Sequence, residues 1–298
     1  MSRRETTPPV SRPPAQAERV SVRPSAPPAR SERPDQTGTV RKRSPKSAAP
    51  KSAAPKSAAP KSAAECLASA LRARTHASRA DWARRGLAAE GDELDPEIQF
   101  LLLRQLYLVY LEEDRFKEAL EIAAQMAAVG PMRDLAQHDR ARVLWVRGDV
   151  RQAIEAQRHA ARLAPPDRRS FQTLGLATLQ HFAGDTNGAL RTLERAERWS
   201  HRDRVLVRAY RVYVELEDDR VPEGLEEVRR ALSASPLREG YGQFLLGMIA
   251  FELGDRPRAA VHLRAFLRKN AAVDRAKELT LREEMRRARI ALAEIESD

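Results

Sequence analysis

The feature that most constrains this chain is a small residue that returns every 34 to 36 positions: Ala83, Ala119, Ala153, Ala189, Gly224 and Ala259. Four residues after the later anchors stand Ala123, Gln157, Leu193, Val228 and Leu263, and seven after stand Met126, Ala160, Ala196, Ala231 and Phe266. Such spacing lays side chains along one stripe of an α-helix. A turn sequence precedes each later anchor: Glu113-Asp114-Arg115, Arg147-Gly148-Asp149, Ala183-Gly184-Asp185, Asp218-Asp219-Arg220 and Leu253-Gly254-Asp255. The stretch from Trp145 to Pro165 shows the unit: the end of one helix, a turn at Gly148-Asp149, and a second helix that Pro165 stops. Asp149 is expected to accept from the free N–H groups that open this second helix. Two short amphipathic helices cannot bury their stripes on each other alone, so the hairpins must stack.

Proline closes three units, at Pro131, Pro165 and Pro236, a Leu-Gly pair stands at Leu174-Gly175 and at Leu246-Gly247, and Tyr110 occupies an aromatic slot of a first helix. In these respects the chain resembles the tetratricopeptide repeat family, whose unit is a 34-residue helix-turn-helix. Gln157 departs from the pattern, because a large apolar residue is usual there. The resemblance implies an all-α fold, a right-handed α-solenoid of about six hairpins over residues 65–271. The first hairpin, around Trp82 and Ala83, is expected to cap one end. The fourth unit is expected to begin near Ser170, and Pro222 to fall in the first turn of the fifth unit's second helix. Residues 272–298 form a C-terminal capping element, with Val273 to Ile295 read as one charged helix over the open end of the stack.

Residues 1–64 are a different material, rich in Pro, Ser, Ala and Arg, with no Trp, Tyr, Phe, Leu, Ile or Cys. A segment of that kind cannot bury enough apolar surface to offset its conformational entropy, so a disordered tail is expected. It ends in KSAAP written three times and then KSAA. The tail carries 14 Lys+Arg and 4 Asp+Glu of the chain's 53 and 42, leaving 39 basic and 38 acidic residues in 65–298. The basic character therefore belongs to the tail. Arg41, Lys42, Arg43, Lys46, Lys51, Lys56 and Lys61 are candidate contacts for nucleic acid or another polyanion. A solubilising linker is the alternative reading of the same composition.

Nothing in the sequence assembles a catalytic set. The six histidines are scattered without metal-ligand spacing, Gly240-Tyr241-Gly242 lacks the strand a dinucleotide site needs, and there is no phosphate loop or nucleophile elbow. Cys66 is the one cysteine, which excludes an internal disulfide. We expect a non-enzymatic protein with no cofactor and no metal site. Arg3 and Arg4 are followed by prolines and charges instead of an apolar run, and no apolar stretch reaches bilayer length, so a cytoplasmic protein with no integral membrane segment is expected. The alanine and arginine usage suits a GC-rich bacterial genome.

Within the tetratricopeptide family the first helix of each hairpin lines a concave groove. Carried onto this chain slot by slot, the resemblance implies a protein or peptide partner held by Arg104, Leu108, His138, Arg142, Trp145, Arg169, Gln172, Arg208, Tyr241, Phe244 and Met248. The carboxylate clamp of co-chaperone repeats is absent from those slots, since the first helices offer no lysine and the two asparagines, Asn187 and Asn270, fall at turns or helix ends. For the tail, the polyanion reading makes a distinct prediction. Binding to duplex DNA should weaken steeply between 50 and 200 mM salt and vanish in a chain shortened to 65–298; salt-insensitive binding by the shortened chain would reject it.

Overall fold

The computed structural model describes residues 62–89, 94–130, 132–199, 203–236, 240–271 and 275–297. The tail's candidate polyanion contacts, Arg41 to Lys61, lie outside the described residues. Among those described, every regular element is a helix and there is no strand. Six hairpins follow one another: α1 (Ala63–Arg72) with α2 (His76–Ala89), α3 (Pro96–Glu112) with α4 (Phe116–Ala128), α5 (Arg133–Arg147) with α6 (Val150–Leu163), α7 (Pro166–Phe182) with α8 (Thr186–Trp199), α9 (Arg204–Glu217) with α10 (Leu225–Ala234), and α11 (Tyr241–Glu252) with α12 (Arg256–Lys269). Each helix packs on its neighbours in sequence, and the first helices also touch in pairs, α1 on α3, α7 on α9 and α9 on α11. That arrangement is a tetratricopeptide-like solenoid. The two longer repeat intervals are taken up by first helices of 17 residues, α3 and α7, against 15 in α5.

The tail repeat itself supplies the start of the array. Where earlier copies read KSAAP, the last reads KSAAE, and Ser62 and Glu65 form a reciprocal capping box in front of α1. Helix α1 thus begins at Ala63, inside the segment expected to be tail. Glutamate in place of proline restores an N–H and provides the acceptor for the Ser62 N–H that completes the capping box.

The alanine anchors Ala83, Ala119, Ala153, Ala189 and Ala259 are fully buried, each letting its second helix close on the first. Five residues before each later anchor the chain turns through a left-handed residue: Asp114 (φ 56°), Gly148 (86°), Gly184 (84°), Asp219 (54°) and Gly254 (74°). The next N–H in each case bonds a carbonyl five residues back, as in Asp149 N to Leu144 O at 2.9 Å, so the same helix stop is used five times. Asp185 and Asp255 then cap their helices through Gly188 N and Arg258 N. Asp149 does not: its carboxylate pairs instead with Arg147 at 3.3 Å.

Three further expectations need correction. The fourth hairpin opens at Pro166, four residues before Ser170, because Pro165 and Pro166 suit a helix start. In the fifth, Pro222 lies ahead of the second helix, and Gly224 is its N-cap at φ 69° rather than a buried anchor. Proline biases Val221 toward extended backbone, and the helix starts only after the glycine has turned the chain. The C-terminal element is two helices, α13 (Arg275–Thr280) and α14 (Arg282–Ser297), interrupted at Leu281.

Gly247 provides a test of the packing. A Cβ there would lie 2.5 Å from Leu263 Cδ2 and 3.1 Å from the Leu263 backbone nitrogen, so α11 and α12 meet at glycine distance. Gly247→Ala gains helix propensity of about 1 kcal/mol but overpacks the core by roughly 1–3 kcal/mol. We expect a lower Tm in thermal unfolding, by a few degrees at about 2–4 °C per kcal/mol; an unchanged or higher Tm would contradict this contact.

Candidate functional site

The site forms where α13 lies on the first helices and α14 continues onto the last hairpin. Helix α13 packs on α3 and α5, and α14 packs on α11 and α12. Ala276 and Leu279, three residues apart on one face of α13, are buried with Phe100, Leu103, Tyr107 and Val143 in the apolar cluster of the first three hairpins. Arg142 Nη2 donates to the Ala276 carbonyl at 3.2 Å, and Arg275 reaches Asp114 at 3.3 Å. In α14, Met285, Ala288, Ala291 and Leu292 join the cluster of the last three hairpins. Arg287 bonds Glu217 and the Tyr213 hydroxyl of α9, and its guanidinium stands 4.6 Å above the Phe182 ring of α7. Tyr241 OH of α11 donates to Glu284 at 3.2 Å.

Beside this segment remains a cavity of about 290 Å³, with walls from α5, α6, α7, α9, α11, α13 and α14. Its lining is mostly apolar: Trp145, Phe171, Leu174, Leu179, Phe182, Leu206, Leu279 and Leu281. A larger cleft of about 570 Å³ between α5 and α6 is lined by Arg140, Arg151, His159, Arg162 and other polar groups. We centre the site on the smaller cavity because it is where the first helices converge.

Polar side chains fix the walls. Asp139 is buried and receives Arg104 Nε at 3.1 Å and Arg142 Nη1 at 3.3 Å, holding both guanidinium groups on the α3–α5 surface. Arg142 Nε is buried without a partner. His138 Nδ1 donates to Gln157 Oε1 at 2.9 Å, and burial lowers its pKa below the ordinary value. Gln157 Nε2 in turn donates to the Gln172 carbonyl and side chain, and Gln172 donates to Asp134. Burial pushes the Asp134 carboxyl up, but the two-pronged Arg168 contact at 2.9 Å and the Gln172 bond outweigh it and hold the group below the usual range. The polar residue in the repeat's apolar slot is therefore the centre of a buried hydrogen-bond chain.

The candidate residues of the sequence separate into three groups. His138, Arg142, Trp145 and Tyr241 line the cavity, while Arg104 and Leu108 on α3 do not, Arg104 being bound to Asp139 and Leu108 partly buried against the first apolar cluster. Gln172, Phe244 and Met248 are inside the array, at 0%, 0% and 4% exposure, and are not groove surface. Arg169 and Arg208 are turned elsewhere: Arg169 stands over Trp199 and Arg208 pairs with Glu227 of α10. Sequence reading missed Phe171, Phe182 and Leu206, and also Asp139, whose burial on a charged helix has no signature in periodicity. It missed that α13 fills part of the groove. Among the described residues, no group of three or more His, Cys, Asp or Glu is placed to hold a metal ion, and no helix is long and apolar enough to cross a membrane.

No protein-family model matches the chain, and no curated protein matches it. Among solved structures it is similar to PilF of Pseudomonas aeruginosa, at 16% sequence identity and a TM-score of 0.46, covering 74% of this chain and 95% of that one. Likeness at that level carries no functional weight; the fold rests on the hairpins themselves.

Glu284 makes the docking of α14 pH-dependent. Burial raises its pKa to about 7, with the neighbouring Glu283 also raising it and the Tyr241 bond and Arg287 lowering it. A carboxyl raised in the folded state gives stability that is complete below its unfolded pKa near 4.5 and is lost as pH rises through 7. The full shift corresponds to roughly 3 kcal/mol. Half-buried Glu252, also raised to about 7, adds a smaller slope of the same sign. Tm should fall between pH 5 and pH 8, and Glu284→Gln should raise Tm at pH 8 and flatten the profile; a profile as steep as that of the parent chain would refute the assignment.

Proposed function

We propose that this protein is a cytoplasmic, non-enzymatic scaffold or adaptor that holds a segment of a protein partner on its first-helix face. The observation that carries this reading is the occupancy of that face. A helical segment already lies on it, with apolar side chains buried against α3 and α5, a backbone carbonyl bonded by Arg142, and arginines on Asp114 and Glu217. A surface complementary to a polypeptide helix in these respects is suited to polypeptide recognition. The cavity adds aromatic walls of the kind that anchor interfaces. A second reading follows from the tail's excess of ten positive charges: the arm would bring the array to nucleic acid, with the helices as cargo.

The test is quantitative capture of proteins from native lysate by the full-length chain after nuclease treatment, compared with the Trp145→Ala, Phe171→Ser variant. Both side chains line the cavity, and Phe171 is half exposed with its ring 5.0 Å from that of His138, so retained thermal stability of the variant is checked alongside. Partners held by this face should be lost about tenfold or more, as aromatic anchors contribute on the order of 2 kcal/mol. Equal capture by both chains would reject the reading, and loss of all bound material on nuclease treatment would favour the tail.

A further inference from the structure

We propose that the face takes a partner's amphipathic helical segment with a small-residue and leucine seam, an arginine at its start, a second arginine within it and a bulky apolar side chain for the cavity, and that α13–α14 is the chain's own stand-in for it. This rests on the scaffold reading above and specifies its ligand. The seam is visible in the occupant, where Ala276, Leu279, Met285, Ala288 and Ala291 are buried in succession along the segment. Charge complementarity sets the register, with Asp114 and Glu217 on the array paired to Arg275 at the start of the segment and Arg287 within it.

A tethered occupant competes at an effective concentration in the millimolar range, so a partner can displace it only if the tethered fit is imperfect. Three defects mark this fit. The cavity of about 290 Å³ beside Thr280 and Leu281 is unfilled by the segment. Arg142 bonds the segment through Nη2 while its Nε stays buried with no acceptor. The segment also brings Glu284, a carboxyl at 6% exposure, against the Tyr241 hydroxyl. A ligand with a large apolar group at the Thr280 position would fill the first defect.

The probe is a fluorescent peptide of residues 272–298, titrated against the full-length chain and against the full-length Arg275→Glu, Leu279→Ser, Arg287→Glu variant, whose changes all lie in the segment and leave the six hairpins unaltered. If the tethered copy occupies the face nine-tenths of the time or more, the peptide should bind the variant about tenfold tighter than the parent chain or better. It should also raise the variant's Tm without moving that of the parent, and a Thr280→Phe peptide should bind tighter than the natural one. Equal affinity for both proteins, no Tm rescue, or no gain from Thr280→Phe would overturn the proposal. If the triple variant loses its helical circular dichroism, Arg287→Gln alone is read by the same ratio. Partners still lost on Trp145→Ala, Phe171→Ser while the peptide fails would leave the scaffold standing and remove this ligand.

Discussion

The array depends on how its two apolar cores are joined. One cluster occupies the first three hairpins and the other the last three, and between them lies only a small alanine-rich patch at Ala141, Leu144, Ala153 and Ala156. The joint between α5–α6 and α7 is polar: Asp134, Arg168, Gln172, Gln157 and His138 form one continuous chain. Such a network is tolerable inside a protein because each member has a partner, and removing any one leaves another buried and unsatisfied. Gly175 belongs to this joint as well. A Cβ there would lie 2.9 Å from Gln157 Nε2, so the glycine makes room for the glutamine of the preceding hairpin.

Polar joints are directional where apolar ones are not. Apolar stripes can slide by a residue at modest cost, whereas the Asp134–Arg168 fork and the Gln157–Gln172 pair have one geometry each. The joint therefore fixes the offset of the fourth hairpin on the third more firmly than it stabilises the stack, since desolvation of a buried charge pair consumes much of its Coulombic gain. Stability comes from the two clusters and from the segment that enters both. Helix α13 contributes to the first and α14 to the second, so the C-terminal residues bridge the polar joint with apolar contacts.

What the sequence disclosed follows from periodicity. The five alanine anchors, the turns and the hairpin order were legible because a 3.6-residue period and a left-handed turn residue leave marks at fixed spacing, whereas Gly224 was an N-cap read as an anchor. Asp114 and Asp219 stand where the other turns use glycine, and they read correctly because Asp tolerates that backbone. The site was harder. Periodicity says that Phe244 and Trp145 lie on helices but does not say which neighbour covers each, and Phe244 proved to be core while Trp145 faces the cavity. Gly175 misled for a related reason. It stands 14 residues before its anchor, Gly247 stands 12 before its own, and only the latter meets the second helix of its own hairpin. The return of α13 onto α3 and α5 joins residues more than 130 apart, as in the Arg142–Ala276 bond, and no local pattern encodes a contact of that range.

Because α13–α14 is also the bridge between the two cores, the proposed exchange at the face would be one equilibrium with the cohesion of the array. When α13 leaves α3 and α5, Leu279 is exposed and the first cluster loses its link to the second, leaving the polar joint to hold the halves. A ligand that merely pushed α13 aside would then meet a looser protein and would have to supply the ordering free energy itself. A ligand that lays its own apolar seam along the same path restores the bridge and recovers that free energy on binding. Selection between the two is steep, since only differential affinity for the open and closed states shifts their populations. The physical requirement on a ligand of the proposed kind is thus more than filling a cavity; it would have to span the joint as α13–α14 does.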